Sequence, residues 1–146
     1  MATRGTITII YKGKKYKMYN HFDSYYNGLG VDLINELTNC NISEWKSLID
    51  KLIIVDDSDK ITDDVINKIS KHIQINDKNV TNNNWYGLLY FTQGSINKTL
   101  QIGYMLEIYD DEEYNYIVDL DDYIFSCNNI PLKNIRDINI FENNNK

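Results

Sequence analysis

Asn20-His21-Phe22-Asp23-Ser24-Tyr25-Tyr26-Asn27-Gly28-Leu29-Gly30 joins two kinds of periodicity, a strand-like segment ending near Tyr19 and a helix-like stripe opening at Val31. Upstream, Thr6 to Tyr11 alternates threonine with β-branched apolar residues, as a half-buried strand does. Lys12-Gly13-Lys14 supplies a turn, and Lys15 to Tyr19 returns with Tyr16 and Met18 on one side. Downstream, Val31, Ile34 and Leu37 recur at helical spacing, with Asp32 in the first turn, where a carboxylate suits the helix dipole. A β-hairpin therefore feeds a helix through a loop dense in polar chemistry.

Further along, Ser43 is positioned to cap a second helix carrying Trp45, Leu48, Ile49 and Leu52, which Asp56-Asp57-Ser58-Asp59 breaks. A third helix is predicted from Thr62, with Asp63 and Asp64 in its first turn and Val65, Ile66, Ile69 and Ile73 on its apolar face. The Asn-rich run from Asn76 to Asn84 is expected to be an exposed loop. Trp85, Leu88 and Leu89 fit a short helix ended by Gly94, although Tyr86 to Phe91 also fits a strand. Three strands then follow as a meander, Tyr104 to Tyr109, Tyr114 to Leu120 and Tyr123 to Cys127, separated by acidic turns. After Pro131, Leu132, Ile135 and Ile138 can pack as a helical turn or a loop. The expected architecture is one α+β domain over residues 1–141. The N-terminal β-hairpin and C-terminal antiparallel meander form one sheet, with two to three helices packed on one face, and residues 142–146 form a disordered polar tail.

Composition narrows the function classes. A chain of 146 residues with 42% hydrophobic and 25% charged residues can bury a core without disulfides or a structural metal. The two cysteines, Cys40 and Cys127, have no CxxC or His-rich companion, so a zinc site is not expected, nor is any other metal or cofactor. No apolar run reaches the roughly 18 residues of a membrane span, and the opening residues lack a charged-then-apolar leader pattern, which predicts a cytoplasmic protein. A net charge of −6 and a pI near 4.8 disfavour nucleic acid, because phosphate neutralisation needs a basic face. Lys12, Lys14, Lys15 and Lys17 cluster around the turn, where lysines also discourage edge pairing.

Met1-Ala2-Thr3-Arg4-Gly5-Thr6-Ile7, the Tyr19 to Gly30 motif and Glu113-Tyr114-Asn115-Tyr116-Ile117-Val118-Asp119-Leu120-Asp121 together resemble a family of small phage, plasmid and bacterial proteins with no assigned activity. Those proteins open with Met-Ala-Thr-Arg or Met-Gly-Thr-Arg and carry a Tyr-x-His-Trp-Asp-Ser/Gly-Tyr-Pro-x-Gly-Leu-Gly motif. Here Phe22 stands in the tryptophan's place and Tyr26 in the proline's. The abundance of Asn, Ile, Lys and Tyr beside a single proline is the mark of an AT-rich genome, and with the resemblance it points to a viral source.

Four constellations carry chemistry. His21, Asp23 and Ser24 have the parts of an acid–base or nucleophilic site, although an Asx or Ser turn capping the helix uses the same residues. Gly28 and Gly30 precede a helix whose amides could hold an anion, with Arg4, His21 and Asp119 as companions if the fold brings them together. The acidic runs at Asp110 to Glu113 and Asp119 to Asp122 lack the calcium-loop spacing and are expected to be solvated turns. Thr3 is the residue type that N-terminal hydrolases use, but removal of Met1 would expose Ala2 instead. Twelve tyrosines complete the picture, and Tyr19, Tyr25 and Tyr26 crowd the loop as interface residues do. The leading expectation is noncatalytic binding of a protein partner through this loop. The alternative is a small hydrolase or an anion- or nucleotide-binding protein with His21 as base and Asp23 as its orienter.

Overall fold

The computed structural model describes residues 2–72 and 84–144. In chain order the elements are β1 (Gly5–Tyr11), β2 (Lys14–Asn20), α1 (Val31–Asn39), α2 (Ile42–Asp50), β3 (Ile53–Val55), α3 (Asp63–Ser70), α4 (Trp85–Leu88), α5 (Ile96–Ile102), β4 (Tyr104–Leu106), β5 (Tyr114–Asp119), β6 (Ile124–Cys127), β7 (Ile130–Asn134), α6 (Ile135–Ile138) and α7 (Ile140–Asn144). The fold is α+β, as the periodicities indicate.

The hairpin forms around Lys12 and Gly13, both at positive φ (53° and 72°), the backbone that a tight two-residue connection requires. Their amides donate to the Asp121 carboxylate at 2.8 and 2.9 Å, which ties the tip to the turn after β5. β1 also pairs with β5, parallel, from Gly5 opposite Tyr114 to Ile10 opposite Asp119. The resulting five-stranded sheet has the order β2-β1-β5-β6-β7. Alternation places Ile7, Ile9, Tyr16, Met18, Tyr116, Val118 and Phe125 in one buried cluster with Leu33 and Leu37 of α1, Trp45 and Ile49 of α2, and Leu100 of α5. A second cluster gathers Val55, Ile69, Trp85, Leu88, Leu89, Ile102 and Tyr104 around a separate parallel pair, β3 with β4.

Several boundaries differ from the sequence expectations. Tyr104 to Tyr109 is not the first strand of the meander: β4 stops at Leu106 and pairs with β3, a segment hidden in sequence behind the helical stripe that ends at Leu52. The meander is β5-β6-β7, with Pro131 inside its last strand. Proline is tolerated there because β7 is the sheet edge, where a missing N–H breaks no ladder. The N-cap of α2 is Asn41, whose Oδ1 accepts from the Glu44 amide at 3.1 Å, rather than Ser43. Thr62 caps α3 as expected, its side chain accepting from Val65. The helix α5 has no counterpart among the expected elements, and the described residues hold seven helices where two to three are expected. Asn139 organises Glu142 and Asn143 into α7 by accepting from the Phe141 and Glu142 amides, so the polar tail is helical as far as Asn144. Ile73 and the Asn-rich run up to residue 83 lie outside the described residues, as do residues 145 and 146. Among the described residues no helix is long and apolar enough to cross a membrane.

Candidate functional site

The loop after β2 is shaped from its first residue. Asn20 is buried, and its Nδ2 donates to the Phe22 carbonyl at 2.7 Å and to Ser24 Oγ at 2.8 Å, folding the chain back on itself. Asp23 takes positive φ (56°), which a short polar side chain tolerates better than most. Ser24 is fully buried: its amide donates to Thr3 O at 3.1 Å, its Oγ to Asn20 O at 3.3 Å, and its carbonyl accepts from Tyr116 OH at 2.8 Å. Tyr26 to Gly30 then makes one π-helical turn that runs directly into α1. Gly28 and Gly30 serve close approach rather than unusual φ. A Cβ on Gly28 would lie 2.4 Å from Asp23 O, and one on Gly30 would lie 3.1 Å from the Tyr26 ring and 3.2 Å from Tyr116 OH.

The candidate residues have separate attachments. His21 Nδ1 lies 2.7 Å from Tyr19 OH, and the His21 amide donates to Gln93 Oε1 at 2.9 Å. Asp23 accepts from Tyr25 OH at 3.0 Å, a bond that holds the Tyr25 proton and raises its pKa. The amides of Gly28, Leu29 and Val31 already donate to Tyr25 O, Asp23 O and the Gly28 and Tyr26 carbonyls, so the turn satisfies itself where an anion would dock. Arg4 is exposed and electrostatically opposes the rise that burial imposes on the Tyr19 phenol. Asp119 stands apart. Its Oδ1 accepts from the Asp121 and Asp122 amides at 2.9 Å, at the opposite end of β1 and β5 from Gly5, about 16 Å along the strands.

The open feature beside the loop is a cleft of about 650 Å³ between it and the segment that leads into α5. Among the described residues that line it, Phe22, Tyr90 and Phe91 supply aromatic surface, and Asp23, Asp32 and Glu36 supply three carboxylates against one cation, Lys98. Glu36 also accepts from Ser95 Oγ and from the Ile96 amide at 2.8 Å, and so fastens α1 to the start of α5. Phe22 is 55% exposed, and Tyr25 and Tyr26 are exposed beside it. No family model, curated protein or solved structure matches this chain. Among the described residues no group of three or more His, Cys, Asp or Glu is placed to hold a metal ion.

The structure adds Asn20, Glu36 and Gln93 to the site. Asn20 lies in the opening motif, but its inward role depends on Ser24 being buried, which serine's usual exposure conceals. Gln93 and Glu36 act across 72 and 60 residues respectively, a separation that no local pattern encodes. The local signal that points to this region is Ser95, an N-cap ahead of Ile96 with Gly94 before it.

The same burial makes the protein sensitive to alkali. It pushes the Cys40 thiol up to about 12 and raises Cys127, Tyr19 and Tyr116 as well. Unfolded, these groups titrate near 9.0 for cysteine and 10.0 for tyrosine. Above those values the folded state binds more protons than the unfolded chain, so stability is intact below about pH 9 and falls as pH rises. The midpoint of urea unfolding is expected to decline steadily from about pH 9 to about pH 11. A flat profile over that range would show that these four groups reach solvent.

Proposed function

We propose that the protein is a noncatalytic accessory factor, viral in source, that binds a protein partner by seating an extended basic segment in the cleft beside the His21 to Gly30 loop. The observation that carries this reading is the cleft's wall: the exposed ring of Phe22 and the half-buried rings of Tyr90 and Phe91, combined with an excess of carboxylates. Aromatic faces and carboxylates together favour lysine and arginine side chains through cation–π contact and charge pairing. The AT-rich residue usage supports the viral source. The hydrolase reading draws less support, because His21 and Asp23 bond to Tyr19 and Tyr25 rather than to each other and Ser24 Oγ is enclosed.

The test is selection from a displayed random-peptide library, followed by affinity measurement on the enriched peptides. Selected sequences are expected to be rich in Lys and Arg, and Phe22→Ala is expected to weaken them about tenfold or more, as loss of a central aromatic anchor does. Enrichment of neutral or acidic peptides, or affinities indifferent to Phe22→Ala, would remove the cleft as the binding surface.

A further inference from the structure

A second concavity lies where the two hydrophobic clusters meet, and it is independent of the partner-binding reading. Met18 of β2 and Met105 of β4 approach it from the larger cluster, and Leu89 and Leu106 from the smaller one. Thr92 and Thr99 close its floor, while Tyr86 and the exposed Asp57 stand at its rim. The space measures about 150 Å³. The space opens to solvent past Tyr86 and Asp57, whereas Met18, Leu89, Thr92, Thr99 and Met105 of its inner wall are buried.

We propose that this cavity is a binding site for a small, uncharged, apolar molecule about the size of one aromatic ring. Size sets the upper limit, since an apolar cavity of about 150 Å³ accommodates a benzene ring. The polar groups in the wall set the chemistry. Thr92 Oγ1 donates to Leu89 O at 2.7 Å and Thr99 Oγ1 to Ser95 O at 3.0 Å. Tyr19 OH is engaged with His21, and Gln93 Oε1 accepts from the His21 amide. Among the described residues no buried side-chain nitrogen or oxygen lacks a partner. The buried hydroxyls of the inner wall, Thr92 and Thr99, already donate within the protein, so water there is weakly held and an apolar occupant displaces it at little cost. An anion would meet the Asp57 carboxylate at the rim and no cation among the described lining residues to offset its lost hydration. The two thioethers supply adaptable, polarizable surface that suits an aromatic ring.

The methionines give a direct readout, because Met18 and Met105 both line the cavity. Protein labelled with ¹³C at the methionine methyls is titrated with benzene and, separately, with benzoate. The expected result is a saturable shift of the Met18 and Met105 resonances with benzene and no response to benzoate. Thr99→Ile, which fills the floor, is expected to weaken the benzene response at least tenfold, and Leu89→Phe fills the same space from the other wall should the first variant not fold. Absence of a shift up to the solubility of benzene overturns the proposal. So does an equal response to benzoate, or a benzene response unchanged in the filled variant.

Discussion

Gly28→Ala is expected to lower folding stability by about 3 kcal/mol. The added Cβ would sit 2.4 Å from Asp23 O and 3.0 Å from the Tyr25 ring. Asp23 O is backbone and already accepts from the Leu29 amide at 2.8 Å, so it cannot retreat without breaking the bond that closes the loop. Asp23 itself occupies positive φ and has little conformational room left. The comparison that isolates this effect is Gly13→Ala. Gly13 has φ of 72°, and a methyl added there would have no atom within 4 Å, so only the backbone penalty of about 1 kcal/mol applies. Chemical denaturation of both variants decides the matter: equal losses would mean that the Gly28 contact relaxes freely.

Asn139→Ala is expected to cost about 4 kcal/mol, the sum of a lost N-cap and of buried carbonyls left without donors. Asn139 is fully buried, and its Nδ2 donates to Leu37 O at 2.7 Å and Cys40 O at 2.8 Å, just where α1 runs out of intrahelical donors. Its Oδ1 meanwhile accepts from the Phe141 and Glu142 amides at the start of α7. One side chain thus serves the end of one helix and the start of another. Asn139→Ser separates the two duties, since serine caps well but is too short to reach the carbonyls, and it is expected to recover about 1 kcal/mol of the loss. Urea unfolding of the two variants would contradict this account if both fell within experimental error of the parent.

The hairpin, the α1 stripe and the Thr62 cap are legible in the sequence because each is encoded within one or two turns of chain. What escapes is non-local. β3 and β4 pair across about fifty residues of sequence, and the three-residue Ile53–Val55 carries too little alternation to announce itself. β7 is masked by Pro131, whose propensity is overridden by its place at the sheet edge. The motif draws attention to a loop that borders the open cleft, but its members have partners in the fold that their chemistry does not announce. Ser24 is a buried hub for Thr3, Asn20 and Tyr116, and Asp119 shapes a turn far from His21. Residue type indicates what a side chain can do, whereas its partners across the fold decide what it does.

The parallel pairing of β1 with β5 has a consequence for the birth of the molecule. Thr6 on β1 bonds across to Asn115 on β5, 109 residues later. At a synthesis rate of 5–20 residues per second, the first strand emerges roughly 5–20 s before its partner exists. Through that interval the hairpin is a two-stranded ribbon, a form of marginal stability in water, with Ile7 and Ile9 lacking the helices and strands that later bury them. The lysines that frame its turn keep such a ribbon from pairing with a neighbouring chain while it waits. The sheet closes only once β5, β6 and β7 have been synthesised, so folding of this sheet is timed by strands made more than a hundred residues after the first.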